Sequence, residues 1–176
     1  MIFYKVLGQD GQAHNGGQGA WPLPIHGRPG AWLRVKGPLE PCRAGLHLCR
    51  RQDLLEWLGP VIWIAEAKPR TERIVCKDKV VVREARLIRR LTTWNDRTAR
   101  LFAADCAEHA LQRERKAGRE PDPRSWRAVT IARVFANGKA TKEELAAARD
   151  AARDAARDAE RRWQTKRLFH YLKEAR

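Results

Sequence analysis

The first half of the chain carries short apolar runs separated by polar turns, a pattern typical of β-strands. The clearest run covers residues 61–67, which are rich in β-branched residues and have Trp63 near the centre. Residues 51–58 instead predict one or two helical turns, which end at Gly59-Pro60. The predicted strands cover 3–7, 31–35, 45–49, 61–67, 73–76 and 79–91, with a hairpin turn at Lys77-Asp78.

Residues 8–30 interrupt this pattern with seven glycines and three prolines. That density excludes a continuous helix or a central strand, so the segment is predicted to be a long loop. Loops of this length are often functional. Trp21 and His26 are therefore candidate binding groups, although Trp21 also fits a role as an anchor that holds the loop on the core.

From residue 92 onward the pattern is helical. Thr93 to Asp96 resembles a capping box with Asp in place of Glu, and Thr141 to Glu144 is a second capping box. Asn137-Gly138 is a typical helix stop. These signals predict helices at about 94–116, 124–136 and 142–174.

The two patterns together predict an α+β fold in two parts. A mostly antiparallel sheet module over residues 1–91 is expected to pack on a helical region over residues 92–176. The large apolar side chains of both parts are expected to lie mostly inside. They are Trp32, Trp63, Leu87, Trp94, Leu101, Phe102, Trp126 and Phe135.

The last predicted helix contains an internal repeat. Ala-Ala-Arg-Asp occurs three times in succession, at 147–150, 151–154 and 155–158. Alanine has the highest helix propensity, so this helix should form even where little packs on it. Its small residues fit close packing against other helices, which we expect. A projecting arm that binds a partner, or self-association into an oligomer, is the alternative.

Charge adds a functional hypothesis. The chain has a net charge of +15, and residues 61–176 carry 29 Lys and Arg against 17 Asp and Glu. Arg outnumbers Lys 26 to 10, and guanidinium groups suit bidentate phosphate contacts. The excess fits a nucleic-acid surface, a surface for an acidic host protein, or a merely solvated surface. The candidate nucleic-acid-binding residues are Arg83, Arg86, Arg89, Arg90, Arg97, Arg100, Arg153 and Arg157.

Composition also bears on location and metal binding. The chain lacks the pattern of a signal peptide and has no apolar run of about 18 residues, so a cytoplasmic protein without membrane contact is expected. Cys42 and Cys49 are separated by six residues, too far for the close pair typical of a zinc site. Cys106 and His109 would have to join them for metal binding. No metal site and no cofactor is predicted.

Standard catalytic motifs are missing, including the phosphate-binding glycine loops and the Gly-x-Ser-x-Gly elbow. One candidate constellation remains in the sheet module, and it consists of His47, Cys49, Glu66 and Glu84. His47 beside a carboxylate could perform acid–base chemistry, and His47 with Cys49 on the same sheet face could form a Cys–His site. The simpler interpretation is a core histidine bonded to backbone. A second constellation on the first long helix fits structural ion pairs better, and consists of Asp105, Cys106, Glu108 and His109.

Two segments carry a resemblance. Residues 41–49, which read Pro-Cys-Arg-Ala-Gly-Leu-His-Leu-Cys, and the Thr-Trp-Asn-x-x-Thr-Ala-Arg-Leu-Phe helix at 93–102 resemble an uncharacterised family of bacteriophage and actinobacterial proteins. The Ala/Arg/Asp repeat tail resembles that family too. The resemblance implies a phage or mobile-element setting and implies nothing about catalysis.

The order of a strand, a Gly-Leu-His strand, a short helix and a strand ending near Glu66 is also similar to the split sheet of ADP-ribosyltransferase-like proteins. The nicotinamide-pocket triad of that family cannot be matched residue by residue. The leading hypothesis is therefore a non-enzymatic accessory protein that binds nucleic acid or a host nucleoprotein. An ADP-ribosyltransferase-like enzyme or a self-assembling structural protein is the alternative.

Overall fold

The computed structural model describes residues 2–156. The chain divides into two compact units, Met1–Asn95 and Asp96–Arg176, with the boundary four residues after the predicted one. The first unit is built from antiparallel sheets and the second from helices. The α+β fold class is therefore confirmed.

The first unit contains seven strands and a single 3₁₀-helix among the described residues. The 3₁₀-helix covers Arg51–Trp57, where helical turns were predicted. The strands are β1 Ile2–Leu7, β2 Leu33–Arg34, β3 Leu46–Leu48, β4 Val61–Ala67, β5 Arg73–Val75, β6 Val80–Val82 and β7 Glu84–Arg90.

These strands form two sheets, ordered β1-β4-β7-β2 and β3-β6-β5, in which every pairing is antiparallel. The sheets meet where Tyr4 of β1 pairs with Cys49, which directly follows β3. The amide of each residue donates to the carbonyl of the other at 2.8 Å. This bridge fixes the middle of β1 beside the end of β3.

The prediction of a single strand over 79–91 was wrong, because this segment forms two strands in different sheets. β6 ends at Val82 and β7 begins at Glu84, so the break falls at Arg83. The Arg83 amide donates to Glu72, and its guanidinium donates to the carbonyls of Val35 and Gly37. These bonds hold the chain at the point where it passes from one sheet to the other.

The core of the first unit is a continuous apolar cluster between the strands. All three valines of β6 are 2% exposed or less, so both faces of this short strand are covered. Trp21 of the long loop is 6% exposed and belongs to the same cluster. The loop is therefore anchored to the core by Trp21, which was the simpler of its two predicted roles.

The second unit contains three described helices, α1 Asp96–Lys116, α2 Pro123–Ala136 and α3 over residues 142–156. The capping box of α3 is formed. The Thr141 amide donates to the Glu144 carboxylate at 2.7 Å, and the Glu144 amide donates to the Thr141 hydroxyl oxygen at 3.1 Å. The remainder of the predicted helix, residues 157–174, lies outside the described residues. No helix within 2–156 has the length and apolar character needed to cross a membrane.

The described part of the alanine-rich helix packs on its own unit, as expected. Leu145, Ala148 and Ala155 are buried. They are separated by three and by seven residues, so they lie on one face of the helix. The prediction for Phe102 was wrong, because its side chain is 39% exposed. The inward face of α1 is made of alanines such as Ala104, which allow close helix approach, and the large ring lies off that face.

Candidate functional site

A cleft of about 170 Å³ opens in the first unit beside the bridge between the two sheets. Its walls come from β1, from β3 and the residue after it, from the end of the 3₁₀-helix, and from the glycine-containing loop segment 13–17. The lining groups that carry chemistry are Lys5, His14, Cys42, His47, Cys49, Trp57 and Lys79, and none of the residues that line the cleft is a carboxylate.

Lys5 enters the cleft from the middle of β1. Its Nζ donates to the carbonyl oxygen of His47 at 3.1 Å and lies 5.1 Å from the centre of the Trp21 ring. Burial lowers the pKa of Lys5 to about 8, with nearby Cys49 acting weakly in the other direction. At pH 7 about a tenth of this amine is therefore uncharged.

Lys79 directly precedes β6 and is 9% exposed. Its Nζ lies 3.2 Å from Asp78 Oδ2 and 4.7 Å from the centre of the Trp57 ring, while the indole N–H of Trp57 donates to the Asp78 carbonyl. Burial lowers the pKa of Lys79, but hydrogen bonds with Asp78 and Cys42 outweigh it and raise the pKa above its ordinary value. Lys79 thus remains a cation.

His47 contributes its ring to the cleft but not a free nitrogen. Its Nε2 accepts the backbone N–H of Cys42 at 3.0 Å, and the ring also bonds to the backbone of Gly45. Burial lowers the pKa of His47, and the charges of Lys5 and Lys79 lower it further. The ring is neutral and satisfied by backbone, which is the simpler of the two interpretations made from the sequence.

Two local features set this strand in place. Gly45 has φ +132° and its Cα faces Val81 so closely that an added Cβ would overlap the valine side chain. Arg50 binds Asp53 through two side-chain bonds of 2.6 and 2.8 Å and donates to the carbonyls of Cys76 and Lys77. Arg50 therefore ties the 3₁₀-helix to the β5–β6 turn, next to Lys79.

The predicted carboxylates are not in this cleft. Glu66 of β4 pairs with Arg86 at 2.5 Å, and Glu84 of β7 pairs with Lys68 at 2.6 Å. Both cations also approach the Trp32 ring, at 4.5 and 5.8 Å from its centre. The structure brings the two carboxylates into this charged cluster and leaves His47 without them.

The predicted nucleic-acid-binding arginines are dispersed over both units. Arg83 and Arg86 pair with glutamates, and Arg100 and Arg153 pair with aspartates in their own helices. Arg97 donates to the Asn137 side chain, and Arg157 lies outside the described residues. Arg89 and Arg90 are exposed near the end of β7 and form no ion pair with a described residue.

The second predicted constellation is an ion-pair cluster. Asp105 and Glu108 both accept from the guanidinium of Arg133 of α2, at 2.6 and 2.5 Å. Cys106 and His109 are exposed on α1. Across the described residues, no group of three or more His, Cys, Asp or Glu side chains is placed to hold a metal ion.

Comparisons with protein-family models, with curated proteins and with solved structures gave no match. The ligand is therefore inferred from the side chains that line the cleft. Sequence reasoning selected His47 and Cys49 from this cleft and missed Lys5, Trp57 and Lys79 as members of the site. The sequence did contain a signal for Lys79. It directly precedes three consecutive valines, and a short strand that is apolar throughout is covered on both faces, which indicates that the residue next to it is buried too.

Proposed function

We propose that this protein is a binding protein whose first unit holds a small phosphate-bearing ligand in the cleft. The observation that carries the proposal is the pair of largely buried amines, Lys5 and Lys79, in a cleft whose lining contains no carboxylate. Two buried amines without an equal number of acidic partners favour an anion, because an anion restores the charge balance.

Size and shape limit that ligand. A cavity of roughly 150 Å³ accommodates a molecule of the size of benzene, so a cleft of about 170 Å³ fits a phosphate together with a few carbon atoms. Gly16 and Gly17 contribute backbone without side chains to the lining, which leaves room for a tetrahedral group. A larger ligand would extend out of the open side of the cleft.

Calorimetric titration with inorganic phosphate and with ribose 5-phosphate tests this proposal. Lys79→Gln should lower the affinity at least about tenfold, which corresponds to about 1.4 kcal/mol. Lys77→Gln removes the same charge two residues earlier, from an exposed side chain that does not line the cleft, and should change the affinity less than about twofold. Absence of binding to the unsubstituted protein at millimolar ligand would reject the proposal.

Nucleic-acid or nucleoprotein binding is the second candidate, in keeping with a phage accessory role. It is favoured by the exposed Arg89 and Arg90, which have no acidic partner among the described residues. Such binding would be led by phosphate contacts and would have little sequence specificity. The ADP-ribosyltransferase-like alternative has less support, because Glu66 and Glu84 are held in ion pairs away from the cleft.

The nucleic-acid candidate is tested with an Arg89→Gln/Arg90→Gln variant. Binding of a labelled oligonucleotide should weaken steeply between about 50 and 300 mM salt, and the variant should show a shallower salt dependence. The control variant Arg43→Gln/Arg119→Gln removes the same charge from two exposed arginines that are already ion-paired. Equal loss in both variants would mean that only net charge matters.

A further inference from the structure

The two amines of the cleft differ in how readily they lose a proton, and this difference has a chemical use. Lys79 is bonded to Asp78 and Cys42 and stays protonated. Lys5 has no carboxylate beside it in the described part of the chain, and burial brings its pKa down to about 8. At pH 7 the uncharged fraction of Lys5 is about 300-fold larger than for a lysine with the ordinary pKa of 10.5.

The position of Lys5 leaves its lone pair available. In the neutral amine one N–H donates to the His47 carbonyl oxygen, so the nitrogen is oriented and its lone pair is not engaged by that bond. The Trp21 ring covers another side at 5.1 Å. An uncharged, desolvated and oriented amine is the arrangement that makes lysine a nucleophile toward carbonyl groups.

The other nucleophilic groups of the cleft are less suited to this chemistry. Burial raises the pKa of the Cys49 thiol to about 11, so that it stays protonated and unreactive. Both nitrogens of His47 are occupied by backbone partners. Cys42 is exposed and bonded to Lys79, and a thiol gives only a reversible adduct with an aldehyde, without a C=N bond.

We propose that Lys5 forms an imine with a phosphate-bearing aldehyde, such as an open-chain sugar phosphate, whose phosphate is bound by Lys79. This rests on the proposed function, since it uses the same cleft and the same phosphate contact. The Nζ lone pair attacks the carbonyl carbon, and a carbinolamine forms. Loss of one water, which carries away the carbonyl oxygen and both amine hydrogens, leaves the C=N bond, with no oxidant or reductant involved.

Pyridoxal 5′-phosphate, a stable aldehyde that carries a phosphate, is the probe. The full chain is incubated with a limiting amount at pH 7, reduced with borohydride to fix any imine, and mapped by peptide mass spectrometry. We expect Lys5 to carry most of the label, although it is only one of ten lysines. Lys5→Arg, which keeps the positive charge, should lose that label, and Lys77→Arg should keep it.

The pH profile and the phosphate requirement give further readouts. Labelling of Lys5 should be half-maximal near pH 8, because it follows the uncharged amine. Pyridoxal without the phosphate should label Lys5 at least about tenfold more slowly, and Lys79→Gln should remove that difference. Because the mapping is done on the unsubstituted protein, it remains informative even where a variant folds poorly.

The possible failures separate the two proposals. Label spread evenly over exposed lysines, with ribose 5-phosphate still bound in calorimetry, overturns the imine and leaves the proposed function standing. Equal labelling of Lys5 by pyridoxal and pyridoxal phosphate overturns the phosphate-bearing class of aldehyde. Absence of phosphate binding in calorimetry overturns the proposed function itself, and the imine proposal that rests on it.

Discussion

Lys5→Met is expected to make the first unit more stable, which is unusual for a substitution at a position where the end of the side chain is largely buried. The folded pKa of Lys5 is about 8, below the ordinary 10.5, so the folded state binds this proton less tightly than the unfolded state does. The resulting penalty is fully present below pH 8 and disappears as the pH rises through 10.5. It amounts to about 3 kcal/mol at pH 7 and to less than about 1 kcal/mol at pH 10.

Methionine has nearly the same length and no charge, so it removes this penalty while filling the same space. It also leaves the His47 carbonyl without its 3.1 Å hydrogen bond, at a cost of about 1 kcal/mol. The net gain in the free energy of unfolding should therefore be about 2 kcal/mol at pH 7 and close to zero at pH 10. Loss of the Lys5 charge raises the Cys49 pKa further above its value of about 11, so this thiol stays mainly protonated at both pH values in both proteins.

The measurement is urea unfolding followed by hydrogen-exchange mass spectrometry of β4 peptides, which reports on the first unit alone. Lys77→Met, at an exposed position, is the control and should change stability by less than about 0.5 kcal/mol at either pH. A less stable Lys5→Met protein at pH 7, or an equal gain at both pH values, would refute the argument from desolvation.

Three further substitutions test the supporting structure. Gly45→Ala should lower the stability of the first unit by about 3 kcal/mol, because a Cβ there overlaps the Val81 side chain of β6. Gly118→Ala meets no atom within 4 Å and should cost only about 1 kcal/mol for its positive φ. Thermal melts of the two variants measure these losses. Asp53→Asn should cost about 3 kcal/mol at pH 7, because it leaves Arg50 without its carboxylate. Since Arg50 lowers the pKa of Asp53, the difference from the unsubstituted protein should persist above pH 4 and shrink as the pH falls below it in urea titrations. Ala155→Leu should destabilise the second unit by about 2 kcal/mol, read from hydrogen exchange in α2, because Ala155 is 1% exposed.

Elements with an unbroken pattern could be predicted from the sequence. β4 was placed at its observed bounds, and the ends of α2 and the start of α3 follow from cap residues whose chemistry is local. The inward face of α1 was harder to predict. Alanine is compatible with either a buried or an exposed face, so the large side chain of Phe102 was assigned to the core while Ala104 occupies that position.

The two-sheet arrangement could not be predicted from strand patterns alone. The segment 79–91 reads as one strand in the sequence. The break at Arg83 is set by its long-range bonds to Val35 and Gly37, more than 40 positions away. The same limit applies to the cleft. Lys5 lies in a strand that pairs with β4 on one side and meets Cys49 on the other, and only that tertiary arrangement buries its amine.

The distribution of unfavourable local features favours the cleft as the functional region of the first unit. Natural sequences are locally consistent with their fold and depart from that consistency chiefly at functional sites. Within residues 2–156 no carboxylate pairs with the Lys5 amine. Asn15 and Cys42 also line the cleft and adopt φ of 54° and 67°, as two of the four described non-glycine residues in a region that L-residues rarely occupy. Most of the arginines that first suggested a nucleic-acid surface are instead satisfied by acidic or amide partners. The coincidence of these unfavourable features around one small cavity is the reason for proposing that a ligand binds there.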